Sequence, residues 1–487
     1  MKVEREPDEV GAEVGCAEAE EAFLASYPEF ASTRDLDNLR REEYPCLDRQ
    51  DHVYLDYTGG GLYARSQIEQ HHGLLRNHVF GNPHSHNPTS MAMTELVERG
   101  RSKVLEFFNA SDQEYVVVFT ANASTALKLV GEAYPFGAGD HYLMTFDNHN
   151  SVNGIREFAR KRGATITYVP LALPEMRVLD SSVEEYLSEA RSGGHDLFAY
   201  PAQSNFSGVQ HPLEWISRAQ EKGWDVLLDA AAFVPTNRLD LTRWKPDFVS
   251  ISFYKMFGYP TGVGCLLARR RALSKLHRPW FSGGTITVAS VQGDRYYMAE
   301  GSAAFEDGTV NYLNIPGVEI GLRHLESIGI EKIHARCRCL TGWLLENLLA
   351  LRHPNGRPLI RLYGPDGTRW RGATLTMNFY RPDGQVIDHT RIEEEASRHA
   401  ISLRTGCFCN PGGGEIALQL SKTELIGCFN QPRIVETSRF TPDDFRLCVD
   451  GKSTGAVRVS LGLVTNFRDV YRFLEFARRF VSGAETV

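Results

Sequence analysis

Between residues 115 and 253 the chain repeats one unit: a short apolar run, a polar loop, then a helical stretch. Tyr115 to Phe119 (YVVVF) leads through a polar loop into a helix from Thr125. His141 to Thr145 leads through another loop to a helix ending at Gly163. Ala164 to Val169, Asp196 to Tyr200, Asp225 to Leu228 and Phe248 to Phe253 continue the series. Runs apolar at successive positions suit strands buried on both faces, and helices between them favour a largely parallel sheet covered on each side. In sheets of this kind ligands gather beyond the carboxyl ends of the strands, so the polar loops after the strands are the places to look for chemistry.

The remainder supplies an edge and a second unit. Residues 1 to about 20 are Glu-rich and expected to fray, and Phe23 to Leu47 reads as a short helical lead-in. His52 to Leu55 is a short apolar strand, and Pro88 to Phe108 has apolar residues at helical spacing behind a cap at Thr89 or Ser90. After about residue 300 come a long helical stretch (Gly317 to Leu351), Pro/Gly-rich turns (Pro354 to Gly372), a strand at Ala373 to Phe379 and a last helix from Phe467 to Val481. That helix has Arg468, Arg472 and Arg479 on its wet face. This order implies a smaller α+β domain.

Of 487 residues, 42% are hydrophobic and 23% charged, a soluble globular profile. The 53 Lys and Arg against 61 Asp and Glu leave a net charge of −8, which argues against a nucleic-acid partner bound through a basic surface. No run of about 18 apolar residues occurs and the N-terminus is acidic, so the expectation is a cytoplasmic protein with no membrane span. Nine cysteines without regular spacing are expected to be mostly reduced thiols, and no metal site is expected.

The segment SISFYKMFGYPTGVGCLL sets Lys255 just past a buried strand, flanked by Ser252 and Tyr254 and followed by glycines at 258, 262 and 264. The plainer alternative is a surface lysine in a hairpin. A lysine in an enclosed site can instead lose its proton and form a Schiff base, the means by which an enzyme holds pyridoxal 5′-phosphate (PLP). Such a site also needs a carboxylate for the pyridine nitrogen, a phosphate cup and a flat group over the ring. Asp229 ends the strand DVLLD before three alanines, with a helix N-cap as its alternative. Ala121 to Thr125 (ANAST) offers backbone N–H groups and the hydroxyls of Ser124 and Thr125 to a phosphate, though Ser and Thr cap many helices. His149, in FDNHNSVNG, follows another strand and could stack on a ring or simply be exposed.

Taken together, FYKMFGYPTGVGCLL, YPAQSNFSG, LLDAAAFVPT, FEDGT and RTGCFCNPG resemble the N-terminal desulfurase domain of molybdenum cofactor sulfurases, within the class V, fold-type-I PLP enzymes. The resemblance runs from about residue 20 to the end. It implies an α/β fold of PLP-transferase type I, divided into a lead-in (1–50), a large PLP-binding domain with a mainly parallel sheet (51–300) and a small α+β domain carrying a cysteine loop (301–487). By the same resemblance Lys255 forms the Schiff base, Asp229 pairs with the pyridine nitrogen, His149 stacks on the ring, and Ser124, Ser252 and Tyr254 hold phosphate. Asn205 would lie near the substrate carboxylate and the cofactor's phenolic oxygen. Relatives are homodimers, so Gly284 and Thr285 would complete the neighbouring subunit's phosphate cup.

A cysteine desulfurase needs a thiolate that attacks the sulfur of bound L-cysteine, leaving alanine and a persulfide. RTGCFCNPGGGE supplies two candidate thiols on a loop whose glycines suggest freedom, with Arg404 to favour thiolate. The family pattern Arg-Thr-Gly-x-x-Cys selects Cys409 over Cys407. The alternatives are two buried small residues or a Cys-x-Cys disulfide, and Cys337 with Cys339, in a helical stretch, read as the buried kind. Arg458, in TGAVRVSLG, resembles the arginine that grips a substrate carboxylate, with a structural ion pair as its alternative.

Some positions depart from relatives. Tyr57 and Thr58 stand where His and Ala are frequent, Ala232 stands where bacterial desulfurases carry a glutamine, and NPGGGE lacks a further cysteine. A molybdopterin-binding domain is not expected in this sequence. The expected activity is a PLP-dependent cysteine desulfurase that passes sulfur to a separate acceptor; a PLP-dependent C–S lyase and a catalytically inactive scaffold are the alternatives.

Overall fold

The computed structural model describes residues 7–190, 193–431, 439–441, 444 and 455–481. The first strand, β1 (Val53–Tyr54), stands apart from the seven that form the large sheet. Those are β2 (Tyr115–Thr120), β3 (His141–Thr145), β4 (Thr165–Val169), β5 (Leu197–Pro201), β6 (Asp225–Asp229), β7 (Phe248–Ser252) and β8 (Gly264–Arg269). Their spatial order is β2-β8-β7-β6-β5-β3-β4. β8 runs antiparallel to both of its neighbours, and β7, β6, β5, β3 and β4 are parallel.

Successive strand residues feed two apolar layers, as the pleat requires. Val117, Phe119, Phe198 and Val226 pack on one face with Met93 and Val97 of helix Pro88–Phe107 and Val318 and Leu322 of helix Ile315–Ile328. Val116, Val118, Ala199 and Leu227 pack on the other with Leu127 and Val130 of helix Ala123–Ala133. The structure is thus the three-layer α/β arrangement expected from the repeating unit.

An exposed antiparallel hairpin, β9 (Ile286–Ser290) with β10 (Arg295–Met298), follows. The second sheet is built from β11 (Ile360–Tyr363), β12 (Thr374–Phe379), β14 (Arg404–Gly406) and β15 (Ala456–Ser460), antiparallel in the order β11-β12-β15-β14. The short β13 (Ile401–Ser402) pairs parallel with β1, and Asp56 just beyond β1 bridges to Ser460. The chain's early strand is thereby stitched to its latest one, which brings Asp56 beside the arginines of β14 and β15.

Local structure differs from the sequence expectation in a few places. Residues Pro7–Ser26 form a helix where fraying was expected. The cap of helix Pro88–Phe107 is Asn87, whose side chain accepts from the Ser90 amide at 3.0 Å, rather than Thr89 or Ser90. The long helical stretch is two helices, Ile315–Ile328 and Ile330–Ala350, because Gly329 takes φ 89°, which ends one and starts the next.

Candidate functional site

Three strand ends meet at the centre of the large sheet. Pro201 of β5 is in register with Asp229 of β6, and Asp229 with Ser250 of β7. Asp229 is buried, and its Oδ1 accepts from the Ser250 hydroxyl at 2.9 Å and from the Ala231 amide at 3.1 Å. It caps a turn, not a helix, so its carboxylate is fixed at the floor of the crevice. β7 runs directly into the short helix Phe253–Phe257, which carries Lys255 over that floor. Among the described residues no hydrogen bond or ion pair engages its ammonium. Burial lowers the Lys255 pKa more than the Asp229 carboxylate raises it, and Arg458 and Arg404 push the same way as burial.

The loops after β2 and β3 close the other side. Asn122 caps helix Ala123–Ala133 by accepting from the Thr125 amide at 2.9 Å, which leaves the Ser124 hydroxyl to meet the Ser151 hydroxyl at 2.6 Å. His149 accepts a hydrogen bond at Nδ1 from the Ser151 amide at 3.1 Å, so its neutral ring carries the proton on Nε2. Its pKa is lowered, chiefly by burial, with Asp229 opposing and Lys255 and Arg458 adding to the effect. Ser124, His149, Asn205, Asp229, Ser252, Tyr254 and Lys255 all line one cavity of about 480 Å³. These seven sequence-predicted residues are thus assembled in one place.

Arg458 and Arg404 lie directly across from one another on β15 and β14. Both reach Asp56. Arg404 donates from Nε at 3.1 and 3.0 Å and from Nη2 at 2.6 Å, and Arg458 Nη2 donates to Oδ1 at 3.1 Å. Arg458 is buried, gives Nη1 to the Asn205 carbonyl at 2.9 Å and leaves its Nε without a partner among the described residues. Burial brings its pKa down to about 10 despite Asp56. Gly59 is glycine for a steric reason: a Cβ there would collide with the Asp56 carboxylate and the Arg404 guanidinium.

The cysteine loop is docked at the pocket rather than loose. Gly412, Gly413 and Gly414 are buried in helix Pro411–Ala417, and a Cβ on Gly412 would meet the Phe146 carbonyl at 1.9 Å. Close approach, more than freedom, accounts for these glycines. Phe408 packs against Phe206 at 5.4 Å between ring centres, and the Arg458 guanidinium sits 4.6 Å over the Phe408 ring. Phe408 and Cys409 both take φ 55°, a left-handed conformation that costs a non-glycine residue about 1–2 kcal/mol. Cys409 is exposed. Cys407 is half-buried, and burial, Glu415 and Cys409 raise its pKa. Cys337 and Cys339 are buried in helix Ile330–Ala350, with Cys337 pushed up to about 12. Cys46, Cys265, Cys337, Cys339 and Cys409 are free thiols, while Cys428 is disulfide-bonded.

Thr285 is not in this crevice. It is fully buried beside the exposed hairpin, where its hydroxyl donates to the Ser282 carbonyl and accepts from the Ser282 amide, both at 2.9 Å. Gly284, at φ 85°, lies next to the His84 ring.

The family model described as aminotransferase class-V matches residues 53–473. The chain belongs to the class V aminotransferase family. It is 36% identical over 490 residues to the molybdenum cofactor sulfurase of Solanum lycopersicum, covering 94% of this chain and 59% of that protein. It is 35% identical over 466 residues to that of Homo sapiens, covering 91% and 51%. The chain therefore spans about half to three-fifths of the curated relatives it matches. Among solved structures it resembles the apo cysteine desulfurase from Thermococcus onnurineus NA1, with a TM-score of 0.75 and 23% identity over 92% of this chain and 98% of that one. A complex of the cystine C-S lyase C-DES with its product cysteine persulfide has a TM-score of 0.67 and 19% identity, over 90% and 100%. At these identities the two structures establish the fold-type-I PLP architecture.

Sequence reasoning missed Asp56, Gln203, Ser151 and Asn410. Asp56 and Gln203 lie within runs that attracted notice for other residues, YLDYTGGG and YPAQSNFSG. Gln203 lines the cavity and accepts at Oε1 from Gln210 Nε2 at 3.1 Å, a buried amide network with no local sequence signature.

Proposed function

We propose that the protein is a PLP-dependent cysteine desulfurase, converting L-cysteine to L-alanine and carrying the sulfur as a persulfide on Cys409 for a separate acceptor. The observation that carries this reading is an exposed thiol on a docked loop beside a crevice that holds a lysine of lowered pKa over a buried carboxylate.

The donor set fits PLP. A cavity of about 480 Å³ is in the range of small-molecule sites, roughly 300–1,000 Å³. Asp229 is the buried, fixed carboxylate that would pair with a protonated pyridine nitrogen. Ser124, Ser252 and the N-terminus of the eleven-residue helix Ala123–Ala133 suit a phosphate. When bound, PLP supplies the electron sink for chemistry at the amino acid's α- and β-carbons.

The chain's own residues supply the rest. Lys255, with its proton easily lost, serves as the attachment amine and then as the base and acid for proton movement at the substrate carbons. His149, kept neutral by burial, offers a ring face for stacking, and Tyr254 helps Ser252 close the phosphate end. Arg458 would take the substrate carboxylate, with the Asn205 carbonyl and Asp56, which Arg404 also holds, keeping its fork oriented. Asn205 stands between that arginine and the pocket. Cys409 then takes the sulfur. The division into large and small domains at about residue 300, a cytoplasmic setting, and a homodimer in which Gly284 and Thr285 serve the neighbouring phosphate cup belong to the same proposal. The exposed hairpin beside Thr285, with Tyr296 and Tyr297 open to solvent, is the surface on which such a dimer would form.

The likeness to a C-S lyase supports a second reading, β-elimination with sulfur released as a small molecule. Incubating the PLP-loaded protein with L-cysteine and measuring alanine, pyruvate and protein persulfide together decides between them. Alanine with persulfide is the expected result; pyruvate with sulfide and no persulfide overturns the desulfurase reading.

A further inference from the structure

Asn410 follows Cys409 directly and is fully buried. Its side-chain amide uses every group it has. Nδ2 donates to the Asp147 carbonyl at 2.7 Å and to Asn205 Oδ1 at 2.9 Å, while Oδ1 accepts from the Gly413 amide at 2.9 Å. Asn205 in turn donates Nδ2 to the Phe408 carbonyl at 2.7 Å, and the Asn150 amide donates to the Cys409 carbonyl at 2.7 Å. The sulfur loop is therefore tied on both sides of Cys409 to the strand-end loops that form the crevice. Asp147 is itself anchored by a buried contact with His211 at 2.9 Å.

Two consecutive non-glycine residues in the left-handed region do not persist unless their surroundings fix them. Here those surroundings are the amides just named. Among them Asn410 has a distinctive reach, because it joins the loop to Asn205 and to Asp147 while capping the helix that follows.

We propose that Asn410 is a positioning residue for sulfur transfer, holding the Cys409 thiol at the mouth of the crevice so that sulfur leaves the substrate by way of that thiol. This rests on the desulfurase reading. In the productive step the Cys409 thiolate attacks the substrate sulfur, a sulfur–sulfur bond forms and the Cβ–S bond breaks. Its electron pair stays on carbon, which takes a proton to give alanine. The sulfur is oxidised to the persulfide level and the carbon is reduced. With the thiolate displaced, the same bond breaks the other way: the α-carbon gives up its proton, its electron pair forms the Cα–Cβ double bond, sulfur departs with the Cβ–S pair as hydrosulfide, and hydrolysis of the unsaturated fragment gives pyruvate and ammonia.

Asn410→Asp separates the functions of this side chain. It keeps the acceptor that caps the helix but removes both donors. Asn410→Ser is the second variant, since serine also caps helices well. In the PLP-loaded full chain the expected result is a fall of about tenfold or more in the alanine-to-pyruvate ratio. Iodoacetamide labelling of Cys409 without substrate should also become faster, with the thermal melt and the yellow cofactor chromophore retained. A folded variant with wild-type product ratio and wild-type labelling rate overturns the proposal. If the wild type forms no alanine, the desulfurase reading fails on its own account. The labelling rates then decide whether Asn410 sets the pose of Cys409, and unchanged rates overturn that as well.

Discussion

The crevice floor and the sulfur loop are built in opposite ways. Asp229 and Lys255 sit at or just past the ends of neighbouring parallel strands, so their separation follows from the sheet itself. Cys409 is carried on a loop from the smaller sheet and is tied to the same crevice by side-chain bonds of Asn205 and Asn410 and by the Asn150 amide. The first region has its chemistry set by burial and the second by tethering. Damage to the floor should therefore stop chemistry altogether, whereas damage to the tether should redirect it.

The sharpest break is Lys255→Ala. Turnover should fall by more than about 10³-fold, since no neighbouring amine can replace the base and attachment point. Borohydride reduction of the wild type followed by peptide mapping should put the pyridoxyl label on Lys255; a label on another lysine refutes the assignment. Asp229→Asn comes next, with turnover slowed by roughly two to three orders of magnitude while the cofactor is retained. Wild-type rates there would remove the carboxylate from the mechanism. Arg458→Lys should raise KM for cysteine by about 10- to 100-fold with a smaller change in kcat, because a lysine cannot reproduce the fork that Asp56 and Asn205 orient.

The smallest expected effect concerns stability. A lysine whose folded pKa is lowered binds its proton more weakly than in the unfolded chain, so it destabilises the fold at pH values below its folded pKa. That cost fades as pH rises toward the ordinary lysine range, about 10.4. Lys255→Met without cofactor should therefore melt higher than the cofactor-free wild type near neutral pH, with the gap closing as pH rises. A gap that widens with pH contradicts the burial argument.

The difference between the two regions also explains what the sequence could reveal. Apolar runs such as YVVVF and DVLLD announce buried strands, and the polar residues immediately after them are forced into the crevice, so Asp229, Lys255, His149 and Ser124 were legible. β8 was less so, because an antiparallel return strand within a parallel series leaves no distinct pattern. Asp56 lies about 350–400 residues from the two arginines that it joins, and no periodicity links positions so far apart. Asn410 drew no notice in NPGGG, since nothing local indicates that its amide would be spent on Asp147 and Asn205. The glycines around it suggested a mobile loop; their burial against Phe146 and Phe206 gives them the opposite role.

The central claim is that sulfur passes through Cys409. The most direct test is a single turnover of the PLP-loaded protein with L-cysteine, followed by alkylation and mass spectrometry, for the wild type, Cys409→Ser and Cys407→Ser. The account predicts one added sulfur on Cys409 in the wild type and in Cys407→Ser, matched by an equal amount of alanine, with both products lost in Cys409→Ser while the chromophore remains. Persulfide on Cys407 alone, or undiminished alanine from Cys409→Ser, would contradict it.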